Sequence, residues 1–263
     1  MVSLVPTFRQ RSFRHSYIGT RHRIWPALFL RDLEEGEGFL GIVKRLLEPA
    51  MMTMATIALS WLISRHPPYG NSILLWSSSG VAPIFCFVHV SKQIVRSPST
   101  KGAYLIDFDH CLITAVHEFI FVTLGMAAFF VVLYFTETKE ALPSDFSQIV
   151  RSWVTIGALA FGVGLIARCM SRLFRIFHMM YPVFNRLLLH MSGVYFVIDD
   201  LPPELRAWLV LNPLVSGVTY FRLGFFPQFP THSFSLNYLL TWAAVSLIVG
   251  LAAEFMLGDR IID

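Results

Sequence analysis

Asp107-Phe-Asp109 has the D-x-D spacing that can hold a metal ion and, through it, a nucleotide sugar. His110 and Cys111 follow directly, and His117-Glu118 comes about a turn and a half later. Carboxylate, imidazole and thiolate are the donor types from which a metal site is built. A three-residue pattern recurs easily by chance. The other reading is a solvated helix leading into an apolar segment. A metal-dependent enzyme would rest on Asp107, Asp109, His110 and His117.

Arg186 is the second candidate. It sits near the middle of an apolar stretch running from about Ile176 to Ile198. If that stretch crosses a bilayer, a guanidinium at its centre costs at least about 2.5 kcal/mol. Arg186 must then face a water-filled path, where it would meet an anionic substrate, or pair with an acid. Glu118 and Glu254 are the candidate acids. No phosphate-binding G-x-x-x-x-G-K-[ST] occurs in the 263 residues, so nucleotide hydrolysis would need another polypeptide. Gly157, Gly162 and Gly164 lie inside an apolar window and serve close helix packing instead.

The elements that must position these residues follow from composition. Hydrophobic residues make up 55% of the chain and charged residues 14%. That leaves too little polar material to cover a water-soluble fold of this length. The apolar runs are long and continuous, which fits helices crossing lipid and excludes the alternation of a barrel. Six windows are expected, at about Leu47–Ser64, Ile73–Val90, Ala115–Phe135, Ser152–Ala167, Ile176–Ile198 and Leu236–Leu257. The fourth is short for a span. The first 25 residues are basic without an apolar core, so the first span carries the insertion signal. Cys86, Cys111 and Cys169 lie in or beside apolar windows and read as buried small hydrophobes.

The N-terminal arm, the segments after spans two and four, and the tail carry 15 Lys and Arg. The opposite segments carry five: Arg65, Lys139, Arg151, Arg206 and Arg222. That bias puts both termini in the cytoplasm. Trp25–Arg45 mixes aromatics with charges and reads as an amphipathic helix on the cytoplasmic surface. Residues 1–46 thus form an arm and interface helix ahead of a membrane domain over 47–263. Leu201–Pro230, with five prolines among Trp, Phe and Leu, suggests a helical hairpin dipping into the outer leaflet. Trp61, Tyr69, Trp76, Trp153, Trp208 and Tyr238 fit an interfacial belt, or alternatively a carbohydrate path. The expected fold is therefore an all-α integral membrane protein. It has six transmembrane helices, an amphipathic interface helix and a re-entrant hairpin between helices five and six.

Several stretches carry a family resemblance. Ala27-Leu-Phe-Leu-Arg-Asp32 followed by Leu46-Leu-Glu-Pro49 resembles the start of the polysaccharide-export permeases of ABC transporters. Ser192-Gly-Val-Tyr-Phe196 with Leu201-Pro202, Leu211-Asn-Pro-Leu214 and Ser235-Leu-Asn-Tyr238 are similar to later family elements in the same order. The resemblance covers roughly residues 25–257 and is closest to the capsular type, where a lysine or arginine can stand at the Arg186 position.

The resemblance implies a homodimer in the bacterial inner membrane, working with two ATP-binding subunits that hold the ATP and Mg. It implies a lipid-linked, acidic capsular polysaccharide as cargo, drawn by Arg186, and a periplasmic adaptor and outer-membrane channel beyond. On that basis Arg31, Asp32, Arg96, Lys101 and Asp107 meet the ATPase. Arg186, Trp61, Tyr195, Phe196, Trp208 and Asn212 line the substrate path, with Trp208 and Asn212 gating its outer end. No catalytic residue, metal or cofactor is expected in this chain. One departure is the acidic Glu34-Glu-Gly-Glu-Gly38, where the family is usually basic. Acid here weakens contact with anionic headgroups, a role left to Lys44 and Arg45. The rival readings are a membrane-embedded glycan-modifying enzyme and an exporter of a small lipid or drug.

Overall fold

The computed structural model describes residues 47–48, 51, 53–59, 66–97, 104–136, 141–231 and 234–258. The arm over 1–46, Trp61 and Lys101 lie outside the described residues. Residues 53–59 are helical and precede seven further α-helices. These are α1 (Ile73–Arg96), α2 (Tyr104–Thr136), α3 (Phe146–Leu173), α4 (Arg175–His190), α5 (Pro203–Leu209), α6 (Pro213–Leu223) and α7 (Leu236–Gly258). No strand occurs among the described residues.

Among the described residues, four helices are long and apolar enough to cross a membrane: α1, α2 from Phe108, α3, and α7 up to Met256. At 1.5 Å per residue the 24 residues of α1 extend about 36 Å, beyond the roughly 30 Å hydrocarbon core. The short fourth window proves to be part of a 28-residue helix. The Asp145 side chain caps it, accepting from the Ser147 and Gln148 amides. Polar residues at its two ends hid its length from a hydropathy reading.

The fifth window departs from expectation. α4 stops at His190 after 16 residues, and Ser192–Phe196 is a turn rather than helix. Gly193 takes φ +72, a backbone region that L side chains rarely adopt, and this ends the helix. The segment after it forms a 3-10 turn at Ile198–Asp200 and then α5 and α6. Pro203 and Pro213 stand in the first turns of those two helices, where a missing N–H costs nothing.

α3 is the hub, packing on α7, α1, α6 and α4. Its glycines make that possible. A Cβ on Gly162 would meet the Leu247 backbone of α7 at 2.5 Å, and one on Gly164 would meet Ile94 of α1 at 2.8 Å. The expected close-packing role of these residues holds. α1 is the innermost span, with 78% of its apolar window buried against 22% for α2. On α2, Val116, Ile120, Leu124, Val131 and Phe135 stay exposed along one side, as a lipid-facing stripe would.

Candidate functional site

Four groups of charged side chains organise the molecule, and three of them find partners inside the chain. The first joins α3 to α7. Glu254 is fully buried, and its Oε1 accepts from Arg168 Nη1 and Arg172 Nη1, each at 2.9 Å. The Cys169 thiol donates to Oε2 at 3.1 Å. Arg168 is only 1% exposed, so it belongs to the helix interior and not to a loop, as its charge alone suggested. The signal available in the sequence was the i, i+4 spacing of Arg168 and Arg172, together with Glu254 as the one acid in the last apolar window.

The second group holds the turn that ends α4. Arg222 of α6 is 1% exposed, although it too reads as a loop charge. It donates to the carbonyls of Gly193 at 2.7 Å, Val194 at 2.6 Å and Trp76 at 3.4 Å. Its guanidinium carbon lies 3.6 Å from the centre of the Trp76 ring. Tyr69, Phe226 and Phe229 pack around that ring. Gly80 leaves the space, since a Cβ there would strike the Arg222 guanidinium. Trp76 and Trp153 are both buried, so neither belongs to an interfacial belt.

The third group centres on His89 of α1. Its Nε2 lies 3.3 Å from Glu48 and its Nδ1 3.3 Å from Glu118 of α2. Each ring nitrogen thus has a carboxylate within hydrogen-bonding reach. Glu48 stands in the Leu46-Leu-Glu-Pro49 motif, so His89 ties that motif to two spans.

These contacts answer the ion-pair reading of Arg186. Glu254 and Glu118 are engaged by other side chains. Arg186 is exposed on α4, and no described residue bonds to it. On the same helix Tyr181, Asn185 and Leu189 are buried at four-residue intervals, while Ile176, Met179, Val183, Phe184 and Leu187 are exposed. α4 therefore has a broad exposed face, largely apolar, opposite its buried row.

Of the other residues expected on a path, Tyr195 and Phe196 lie in the turn after α4, Asn212 bonds to that turn, and Trp208 lies on α5. Tyr195 is half-buried and stacks on His190 at 5.6 Å. Phe196 is half-buried and packs with Ile198, Val215 and Phe234. Trp208 of α5 is 76% exposed. Asn212 caps α6, its Oδ1 accepting from the Leu214 amide and its Nδ2 donating to Ser192. Of the residues expected at an ATPase interface, Arg96 is exposed at the end of α1, and Asp107 lies on the first turn of α2. The D-x-D stretch assembles no metal site among the described residues. Asp109 and His117 are buried in the bundle, and His110 Nδ1 lies 3.3 Å from the Ser97 hydroxyl.

The helices define an all-α protein with four segments, among the described residues, long and apolar enough to cross a membrane. Known proteins narrow the class. The chain is 24% identical over 243 residues to the capsule polysaccharide export inner-membrane protein CtrC of Neisseria meningitidis serogroup B, covering 89% of this chain and 91% of that protein. It is 26% identical over 234 residues to the polysialic acid transport protein KpsM of Escherichia coli, covering 86% and 90%. It is 22% identical over 248 residues to the capsule polysaccharide export inner-membrane protein BexB of Haemophilus influenzae, covering 91% and 92%. No family model matches the chain. The resemblance to capsule-type export permeases thus extends over about nine-tenths of the sequence.

Proposed function

We propose that this chain is the permease subunit of a capsule polysaccharide exporter in the bacterial inner membrane. The observation that carries the reading is similarity to capsule export inner-membrane proteins over nearly their whole length. The exposed Arg186, which no described residue pairs, supports it, since lipid alone would not tolerate that charge. The chain translocates and does not catalyse. ATP and Mg belong to separate ATP-binding subunits, which dock at Arg31, Asp32, Arg96, Lys101 and Asp107.

Six spans complete the membrane domain over 47–263, with the helical stretch at 53–59 in the first and α4 in the fifth. Removing the buried Arg168 and Arg222 from the charge tally leaves 14 against 4, so the bias still favours cytoplasmic termini. Two copies enclose the path between the first span and α4, along Trp61, Arg186, Tyr195 and Phe196. α5 and α6 form the re-entrant hairpin, whose Trp208 and Asn212 gate the periplasmic end. A periplasmic adaptor and an outer-membrane channel receive the polymer.

Deleting the gene tests the reading. Surface polysaccharide should disappear, and the tagged chain should co-purify with an ATP-binding subunit. Surface polymer at its normal level after deletion would refute export. Metal-dependent glycan modification by the purified chain alone would favour the enzyme reading.

A further inference from the structure

We infer that Tyr181 and Asn185 are further residues of the translocation path, shut inside the bundle in this conformation and brought to the path when α4 turns between its two ends. The inference rests on the export reading above and adds a moving part to it.

α4 is buried along a narrow row. Between Ile176 and His190 only Tyr181, Asn185 and Leu189 are buried. Two of these three are polar, at 6% and 4% exposure. The Tyr181 hydroxyl and both polar atoms of the Asn185 carboxamide are enclosed without a hydrogen-bond partner. Ser91 of α1 and Asn185 are polar neighbours of the Tyr181 hydroxyl. Ser91, however, donates within its own helix, to the Val88 carbonyl at 3.3 Å. A buried donor or acceptor left unbonded costs its full desolvation, and native chains keep few such groups. An apolar row, like the exposed face of the same helix, would close the seam without that cost. Water in an open path would satisfy all three atoms, and it reaches them once the row leaves the seam.

The two ends of α4 are pivots. Phe174, a single extended residue with φ −128 and ψ 106, separates α3 from α4, and no side chain caps the junction. Gly193, with φ +72, ends the other side. What lies beyond each pivot is fixed. α3 is locked to α7 through Glu254, and the carbonyls of Gly193 and Val194 are held by Arg222. Pro182 has no N–H for the His178 carbonyl, so the hydrogen-bond ladder of α4 is also interrupted between the pivots. One residue corresponds to about 100° of helix rotation, so a turn of about that size carries Asn185 to the place where Arg186 now stands.

The test begins with Asn185→Leu, which replaces an unbonded polar group by an apolar one of similar shape. The variant should favour the closed seam and raise the unfolding midpoint in detergent by about 2–4 °C. Export of surface polymer should fall about tenfold, because a state that must form is now less populated. Asn185→Ser, which keeps a polar group, should export within about twofold of wild type. Movement is read directly with Asn185→Cys in the complex with its ATP-binding subunit, using a bulky membrane-impermeant maleimide. The native Cys86, Cys111 and Cys169 are buried, so the wild type gives the background. Labelling at position 185 should be slow at rest and at least about fivefold faster during ATP turnover. A lowered midpoint in Asn185→Leu would mean that the carboxamide is already satisfied by a bound water, and the inference fails. It fails equally if export by that variant is normal, or if ATP leaves the labelling rate unchanged. Complementation of a deletion strain separates the two readings. Polymer lost on deletion and fully restored by Asn185→Leu sinks the moving row alone, whereas polymer retained on deletion sinks export itself.

Discussion

Arg168 and Arg222 stand in contrast to Arg186. All three lie on apolar helices, yet the first two are sealed in the chain and the third faces outward. Arg168 is matched by a buried carboxylate, and Arg222 by three carbonyls and an indole face. The cost of placing these two charges in the bundle is offset within one polypeptide, so their work is structural. The requirement of Arg186 is met by nothing described in this chain. The difference separates arginines that hold the bundle together from one that no described residue answers.

Removing Glu254 should have the largest effect on that contrast. Glu254→Ala strips the counter-charge from two guanidinium groups, a change of the kind that costs about 3–5 kcal/mol when the pair is buried. Thermal unfolding in detergent should show a large drop, and an unchanged midpoint would mean that water reaches the site. Arg222→Met should come next. It removes charge-assisted bonds worth about 1.5–3 kcal/mol and frees the turn at 193–194. Protease cleavage near Ser192–Phe196 should rise, and equal protection in the variant would break the claim that Arg222 fixes the turn. Gly162→Ala forces α3 away from α7 and should cost about 1–3 kcal/mol by overpacking, read again by thermal unfolding.

Arg186→Leu should do the opposite of these. Its stability should move by no more than about 0.5 kcal/mol, as at surface sites, while export of an acidic polymer falls about tenfold. Unchanged export of an anionic substrate would remove Arg186 from the path. Smallest of all is Asp145→Ala at the start of α3. The Ser147 hydroxyl and the Gln148 and Ser147 amides hold the Asp145 carboxyl below its usual range. A depressed carboxyl contributes stability above its unfolded pKa, and that contribution fades as pH falls through the folded value. Amide exchange at the first turn of α3 should speed up in acid for the wild type. In the variant it should already be fast at neutral pH.

Hydropathy was enough to read α1, α2 and α7, because a span needs a length of apolar chain and little else. It undercounted α3, whose ends carry Ser147, Gln148 and Arg151 at one side and Arg168 and Arg172 at the other. It overextended α4, since an apolar stretch does not reveal that Gly193 turns back to meet Arg222. Arg186 was legible as a candidate because an isolated charge in an apolar window is conspicuous. Glu254, Arg168, Arg222 and the His89 pair with Glu48 and Glu118 were not, since each has meaning only beside a partner distant in sequence.

The sequence by itself determined the solvent, the helical class and the order of motifs shared with capsule export proteins. These depend on composition and on local period, which no tertiary contact can reverse. Only the tertiary structure decided which charges are already answered. Coulomb attraction and desolvation act through space, so Arg168 finds Glu254 across 86 positions while Arg186 finds nothing on its own helix.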